Sequence, residues 1–236
     1  MQMSLLLDTY LFIKVLEIHL VRADLVKCVE YITMKTEKLK IIADGSVVAI
    51  ADAKKYNETL NNQTKWTWKQ LNDFFLKTNR DHLIVFQTAW EDEWIFEFLI
   101  NQKTNETAFR QFEQSIEVSD ENLYLVNWTD LTSSLQFENT KLPDKINEDL
   151  KIKIPNGFYK VTVKQLFDND DDDYESENKV SYVVELTSEP NNPSMHSEKI
   201  IWTEDFPNDD TYFLKDERNE FDDLLDQLLQ KDKTIS

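Results

Sequence analysis

Three observations predict an α+β protein, mostly antiparallel sheets with a mid-chain capped helix and a C-terminal amphipathic helix. Several short runs rich in β-branched and aromatic residues alternate apolar with polar side chains, the pattern of half-buried strands. One mid-chain segment carries a complete helix-start signature. The last apolar segment repeats at helical rather than strand spacing.

Taken in order, Leu5 to Ile32 is apolar with mixed periodicity and fits a helix or a strand equally well. Lys40-Ile41-Ile42 and Val47-Val48-Ala49-Ile50 flank Ala43-Asp44-Gly45-Ser46, which reads as a β-hairpin. Lys54 to Gln63 is polar and reads as a loop. The helix start follows: Thr67 as N-cap with Gln70 three residues later makes a capping box. Trp66 and Leu71 form a hydrophobic staple across it. Trp68, Leu71 and Phe75 then repeat at helical spacing to about Thr78.

His82 to Trp90 and Trp94 to Ile100 are two strand-like runs joined by Glu91-Asp92-Glu93, a solvated hairpin tip on this reading. In the second run Trp94, Phe96, Phe98 and Ile100 share a face. Ala108 to Val118 and Leu123 to Trp128 read as strands, followed by a short polar helix near Asp130 to Phe137. Leu150, Ile152 and Ile154 alternate with lysines, Pro155-Asn156-Gly157 turns the chain, and Tyr159, Val161 and Val163 alternate on the way back. This is the clearest hairpin signal in the sequence. A strand from Val180 to Leu186, a Pro/Asn-rich loop and a short strand Ile200-Ile201-Trp202 come next. The chain then ends in a helix, Glu220 to Lys231, whose leucine stripe opposes Asp222, Asp223 and Asp226. A weak boundary near residues 101–107 suggests an N-terminal α+β region, 1–105, and a C-terminal β-rich acidic region, 106–236, unless the two are continuous.

Composition removes several function classes. Only 2 of 236 residues are glycine, so neither a P-loop nor a dinucleotide-binding glycine loop can be drawn. A lone cysteine, Cys28, rules out an intramolecular disulfide framework and fits a reducing compartment. Met1 to Val21 is apolar but lacks a basic n-region and a small-residue cleavage site, which points to a cytoplasmic protein. The histidines, His19, His82 and His196, have no second ligand at metal spacing, so neither a metal site nor a cofactor is expected.

The formal net charge is −19, and it is uneven. From Asp168 onward there are 21 acidic and 6 basic residues, and the preceding 167 hold 24 and 20. Such a field repels nucleic acid and acidic membranes and accelerates encounter with a basic protein. Asp168, Asp170, Asp171, Asp172, Asp173, Glu175 and Glu177, with Tyr174 among them, form one acidic loop between two strands. Read as a calcium loop it fails, since Asp173 stands where glycine makes the sharp turn and Lys179 where a bidentate glutamate is needed. The loop and the helix face of Asp222, Asp223 and Asp226 are therefore candidate partner-binding residues, with Trp128, Trp202 and Tyr174 as candidate anchors, core packing being the expected role of both tryptophans.

Asn127-Trp128-Thr129-Asp130-Leu131 before a small helix, followed by the run from Leu150 through Pro155-Asn156-Gly157 to Val163, resembles the bacterial competence nuclease inhibitors and related immunity proteins. The resemblance covers residues 108–188. It implies an acidic β-rich protein that blocks a nuclease or another toxin by direct binding. The expected function is thus an immunity-type inhibitor without catalytic activity. A DNA mimic acting on a nucleic-acid-binding defence protein, and an enzyme with a dispersed site, stand as alternatives.

Overall fold

The computed structural model describes residues 35–60, 67–88, 90–168 and 179–203. The chain orders as β1 (Lys35–Ile42), β2 (Val47–Ala51), α1 (Ala53–Thr59), α2 (Trp68–Asp73), β3 (Leu83–Gln87), β4 (Glu93–Ile100), β5 (Arg110–Val118) and β6 (Asn122–Asn127). It continues with α3 (Trp128–Gln136), β7 (Lys151–Lys153), β8 (Gly157–Gln165) and β9 (Val180–Glu189). The N-terminal segment Leu5 to Ile32 with His19 and Cys28, Trp66, and the C-terminal helix Glu220 to Lys231 lie outside the described residues.

Two sheets stack face to face, and the helices cover the outer side of one. The first sheet orders β1-β4-β9-β8-β5 and the second β3-β2-β6-β7, so both draw strands from before and after residue 105. All pairings of named strands are antiparallel except β4 with β9. Between the sheets lies one apolar layer. The alternation in the sequence selects its residues: Trp94, Phe96, Phe98 and Ile100 from β4, Tyr159, Val161 and Val163 from β8, and Tyr182, Val184 and Leu186 from β9 all face it. Ile50, Ile84, Phe86 and Leu125 meet them from the second sheet. Phe96 stacks on Tyr182 with ring centroids 4.6 Å apart, and Trp94 meets the same Tyr182 edge-on. Contacts of this kind add to area burial.

β2 is buried on both faces, because its other side supports the helical layer. There Val47, Ala49 and Ala51 pack under Tyr56, Leu71, Phe74, Phe75, Leu131 and Leu135. The Thr67 capping box forms as expected, with Thr67 accepting from the Gln70 amide and Gln70 from the Thr67 amide. After Asp73 the helix widens into a π turn, Phe74–Thr78, so that consecutive phenylalanines, Phe74 and Phe75, are both buried. The stretch read as a loop from Lys54 holds α1 instead. Asp52, itself buried, caps it through the Lys55 amide and also accepts from the Ser119 amide. Only Ala53 and Tyr56 of α1 are buried, too few for an apolar stripe to show. The Tyr56 hydroxyl donates to the Leu131 carbonyl at 2.8 Å and ties α1 to α3.

Three turns read as hairpins are corners between the sheets. β1 pairs with β4 and β2 with β3 and β6, so Asp44–Ser46, a 3-10 turn, crosses from the first sheet to the second. The connection through Glu91-Asp92 crosses back from β3 to β4. Pro155-Asn156-Gly157 carries the chain from β7, which pairs with β6, to β8, which pairs with β5 and β9. Both partners of each predicted hairpin do bury one face, but they bury it against each other across the core rather than edge to edge. Ile200-Ile201-Trp202 is not a strand either: Ile201 makes a single parallel bridge to Phe86.

Candidate protein-binding surface

Because β4 runs parallel to β9, the start of β4 lies beside the start of β9 and the end of β8. One end of the first sheet therefore gathers five chain segments: Ile42 to Gly45 after β1, Trp90 to Glu93 before β4, Lys179 before β9, Leu166 to Asp168 after β8, and Phe109 before β5. Five strands at about 4.8 Å spacing make this end about 19 Å wide. The α3 N-terminus adjoins it, as the Thr129 amide donates to Asp44 Oδ2 at 3.1 Å.

The base of the acidic loop is built from specific bonds. The Leu166 amide donates to the Ser181 carbonyl at 2.9 Å, and Gln165 Nε2 donates to the Phe167 carbonyl at 2.7 Å. Arg110 Nε donates to Gln165 Oε1 at 2.6 Å while its guanidinium lies 4.2 Å from the Trp202 ring centre. Asp168 is exposed at the mouth of this base. Asp170, Asp171, Asp172, Asp173, Tyr174, Glu175 and Glu177 follow it in sequence and lie outside the described residues, as do Asp222, Asp223 and Asp226.

Four more carboxylates reach the same end. Glu91 accepts from the Gly45 amide at 3.0 Å, Asp92 from the Glu93 amide at 2.7 Å, and Asp44 from Thr129. None of these three is in an ion pair with a described residue, so backbone amides hold them in place without cancelling their charge. Glu93 is ion-paired with Lys40. Gly45 makes this packing possible. Its φ is +60°, and a Cβ there would sit 3.0 Å from Cδ1 of Trp128. Asp130, on the first turn of α3, is half-buried. Burial first, and then the neighbouring carboxylates of Asp144 and Asp44, raise its carboxyl above the ordinary range against a hydrogen bond from Asn147.

Apolar groups flank the acids. Among the described residues six large apolar side chains are exposed, and four of them stand at this end: Ile42, Trp90, Phe109 and Phe167. Phe109 and Phe167 are both tied to Gln165, the former through its amide at 2.8 Å. Ile42 pairs with Glu93, and the Trp90 carbonyl accepts from Trp94 Nε1. One apolar pair thus stands on each side of β9, where the chain returns from the acidic loop. The two tryptophans among the candidate anchors pack against the core, as expected for both. Trp128 packs edge-on against Phe75, and Trp202 packs against Phe86 and Phe112. Glu91-Asp92-Glu93 was legible as an acidic run. Its nearness to Asp168 was not, because it rests on a parallel pairing of strands nearly ninety residues apart.

Elsewhere several charges are matched in pairs. On the outer face of the first sheet Lys38 pairs with Glu97, Lys160 with Glu113, and Lys164 with Glu185. At the opposite end Lys54 pairs with Asp120 and Lys55 with Glu58. Among the described residues no group of three or more histidine, cysteine or carboxylate side chains is placed to hold a metal ion, and no helix is long and apolar enough to cross a membrane.

The fold and surface define a class: an acidic α+β sandwich that presents carboxylates and exposed aromatic rings together at one end of a sheet. No protein-family model and no curated protein matches the sequence. Among solved structures the chain is similar to ComJ of Bacillus subtilis, an inhibitor of the DNA degrading activity of NucA, at 10% identity and a TM-score of 0.38, over 66% of this chain and 99% of that one. It is also similar to the protein of crocagin biosynthetic gene J, at 10% identity and a TM-score of 0.43, over 67% of this chain and 99% of that one.

Proposed function

We propose that the protein is an immunity-type inhibitor that binds and neutralises a cognate basic nuclease or other toxin by direct contact through its acidic end. The observation that carries the reading is the coincidence, at one end of one sheet, of three carboxylates, Asp44, Glu91 and Asp92, in no ion pair with a described residue, and four exposed apolar side chains. Charge of one sign steers a basic partner to the surface, and desolvated aromatic groups supply most of the affinity once it arrives. On this reading the protein has no catalytic role of its own and acts in the cytoplasm, where its partner is made.

The test sequences the genes flanking its own, and purifies and assays any basic nuclease or toxin domain encoded there with and without the full-length protein. The expected result is stoichiometric inhibition, with an association rate that falls steeply as salt rises and a dissociation rate that barely changes. Absence of both complex and inhibition at low ionic strength refutes the reading. Equal binding to several unrelated DNA-binding proteins, relieved by nonspecific DNA, points to nucleic-acid mimicry instead.

A further inference from the structure

β5 is an edge strand, and described residues occupy its outer edge over only half its length. The Leu166 bond to Ser181 places the even-numbered residues of β8 in hydrogen-bonded pairs with β9, so its odd-numbered residues pair with β5. By the register, the even-numbered residues of β5 are then bonded to β8, and Gln111, Glu113, Ser115 and Glu117 turn their amides and carbonyls outward. Ser115 and Glu117 meet the chain's own backbone there: the Ser115 amide donates to the Met195 carbonyl at 2.8 Å and the Glu117 amide to the Asp81 carbonyl. Gln111 and Glu113 have no backbone partner along this edge among the described residues. Along the same half of the strand runs a groove of about 480 Å³, with Phe112, Glu113 and Gln114 on one wall and Lys199, Ile201 and Trp202 on the other. It begins next to Arg110 and Phe109, at the acidic end.

We infer that this edge receives an extended segment of the protein partner, which adds to the first sheet as a sixth strand beside Gln111–Glu113. The inference rests on the proposed function and extends its surface by one strand. Register and pleat fix the chemistry of the occupant. Residues opposite Gln111 and Glu113 project on the outer face of the sheet, beside Gln111 and the Glu113–Lys160 pair, and suit polar side chains. Residues opposite Phe112 project into the groove against Phe112, Ile201 and Trp202, and suit an apolar side chain. The segment is therefore extended and alternates polar with apolar residues, and the basic partner of the proposed function makes the polar ones lysine or arginine. The main-chain bonds supply affinity and the alternate side chains supply specificity.

The probe is the peptide acetyl-Lys-Val-Lys-Val-Lys-Val-amide, titrated into the isotope-labelled full-length protein at low salt. A second peptide is identical except for N-methyl groups on its lysine nitrogens. Addition of the first should slow hydrogen exchange at the Gln111 and Glu113 amides and leave Ser115 and Glu117 unchanged. N-methylation should abolish that protection and weaken binding about tenfold, the loss of two ladder bonds. Gln111→Pro removes an outward amide that no β8 bond uses, so it should weaken the first peptide alone. If that variant fails to fold, the N-methylated peptide still decides. Equal binding of both peptides, seen as shifts around Asp168 and Glu91 without protection on β5, overturns strand addition and leaves the acidic end as the binding surface. No binding of either peptide at low salt overturns both.

Discussion

Replacing Lys164 by methionine isolates what holds the two arms under the acidic loop in register. Lys164 on β8 and Glu185 on β9 form an ion pair at 2.7 Å across the strand pair that leads into the loop, and their side chains are 14% and 5% exposed. Glu185 also accepts from the Thr104 amide at 2.9 Å, so the carboxylate joins three segments. Methionine keeps most of the aliphatic stem of lysine and removes its charge. Breaking a buried pair by deleting one partner costs about 3–5 kcal/mol, because the surviving charge stays desolvated. The Lys164 ammonium is slightly exposed, and Thr104 still donates to the carboxylate, which puts the expected loss at the low end, about 3 kcal/mol. For a chain of this size that is a fall of about 6–12 °C in Tm.

Urea unfolding of Lys164→Met should show a lower midpoint with an unchanged slope. The double variant Lys164→Met/Glu185→Leu should recover part of the loss, since an apolar pair carries no desolvation cost while the Thr104 amide loses its acceptor. A single-variant loss under about 1 kcal/mol would refute the argument, because the pair would then behave as a surface ion pair. A double variant as unstable as the single would refute it in another way, by placing the cost in packing rather than in the stranded charge.

Three further outcomes follow from the same structure. Asp130 is raised in the folded state, so its neutral form is favoured there; the stability this contributes is present at low pH and is lost as pH rises through the folded value. Asp130→Asn should therefore stabilise the protein at pH 7 relative to wild type and leave it little changed near pH 3, measured by thermal unfolding at both pH values; equal effects at the two would contradict the assignment. Asp52→Ala should cost about 2–3 kcal/mol in urea unfolding, since it removes the α1 cap and strands the Ser119 amide. Glu91→Gln/Asp92→Asn should leave binding of the lysine–valine peptide unchanged at 0.15 M salt, because β4 lies four strand spacings, about 19 Å, from a strand added beside β5. Each charge contributes only about 0.02 kcal/mol there after screening, and a loss of twofold or more in a titration would place the peptide on the acidic end instead.

The elements were legible in the sequence and their partners were not. Period-2 alternation correctly marks the buried faces of β4, β8 and β9, because burial of alternate residues is a property of each strand alone. It says nothing about whether the neighbour lies beside the strand or across the core. Gly45 and Gly157 both adopt positive φ, and each turn was read as the tip of a hairpin. Tight turns of the same composition serve equally as corners between stacked sheets. The Thr67 helix was legible because its capping box is local, and α1 was not, because its cap Asp52 is held from a turn nearly seventy residues away. The acidic loop was plain from composition. Its apolar companions were hidden, since Ile42, Trp90, Phe109 and Phe167 look like core residues until strand order leaves them at the rim.

Strand order also explains why the charge sits where it does. A chain with net charge −19 loses stability to self-repulsion, and that cost grows as carboxylates approach one another. The outer face of the first sheet limits it by matching acids with lysines, and the end opposite the acidic loop does likewise. At the acidic end Lys40 matches Glu93, and three further acids are in no ion pair with a described residue. Asp44, Glu91 and Asp92 are fixed by amides, and amides hold a carboxylate without neutralising its field. Burial first, and then the carboxylates of Asp144 and Asp44, push Asp130 toward its neutral form. Folding alone would favour a lysine among these residues. A basic partner would supply the missing countercharge, and binding should then lower the Asp130 carboxyl toward the ordinary range. That shift is measurable by carbon-detected titration of Asp130 in the free protein and in its complex with the basic partner. An unchanged value in the complex would mean that the partner surface stops short of α3.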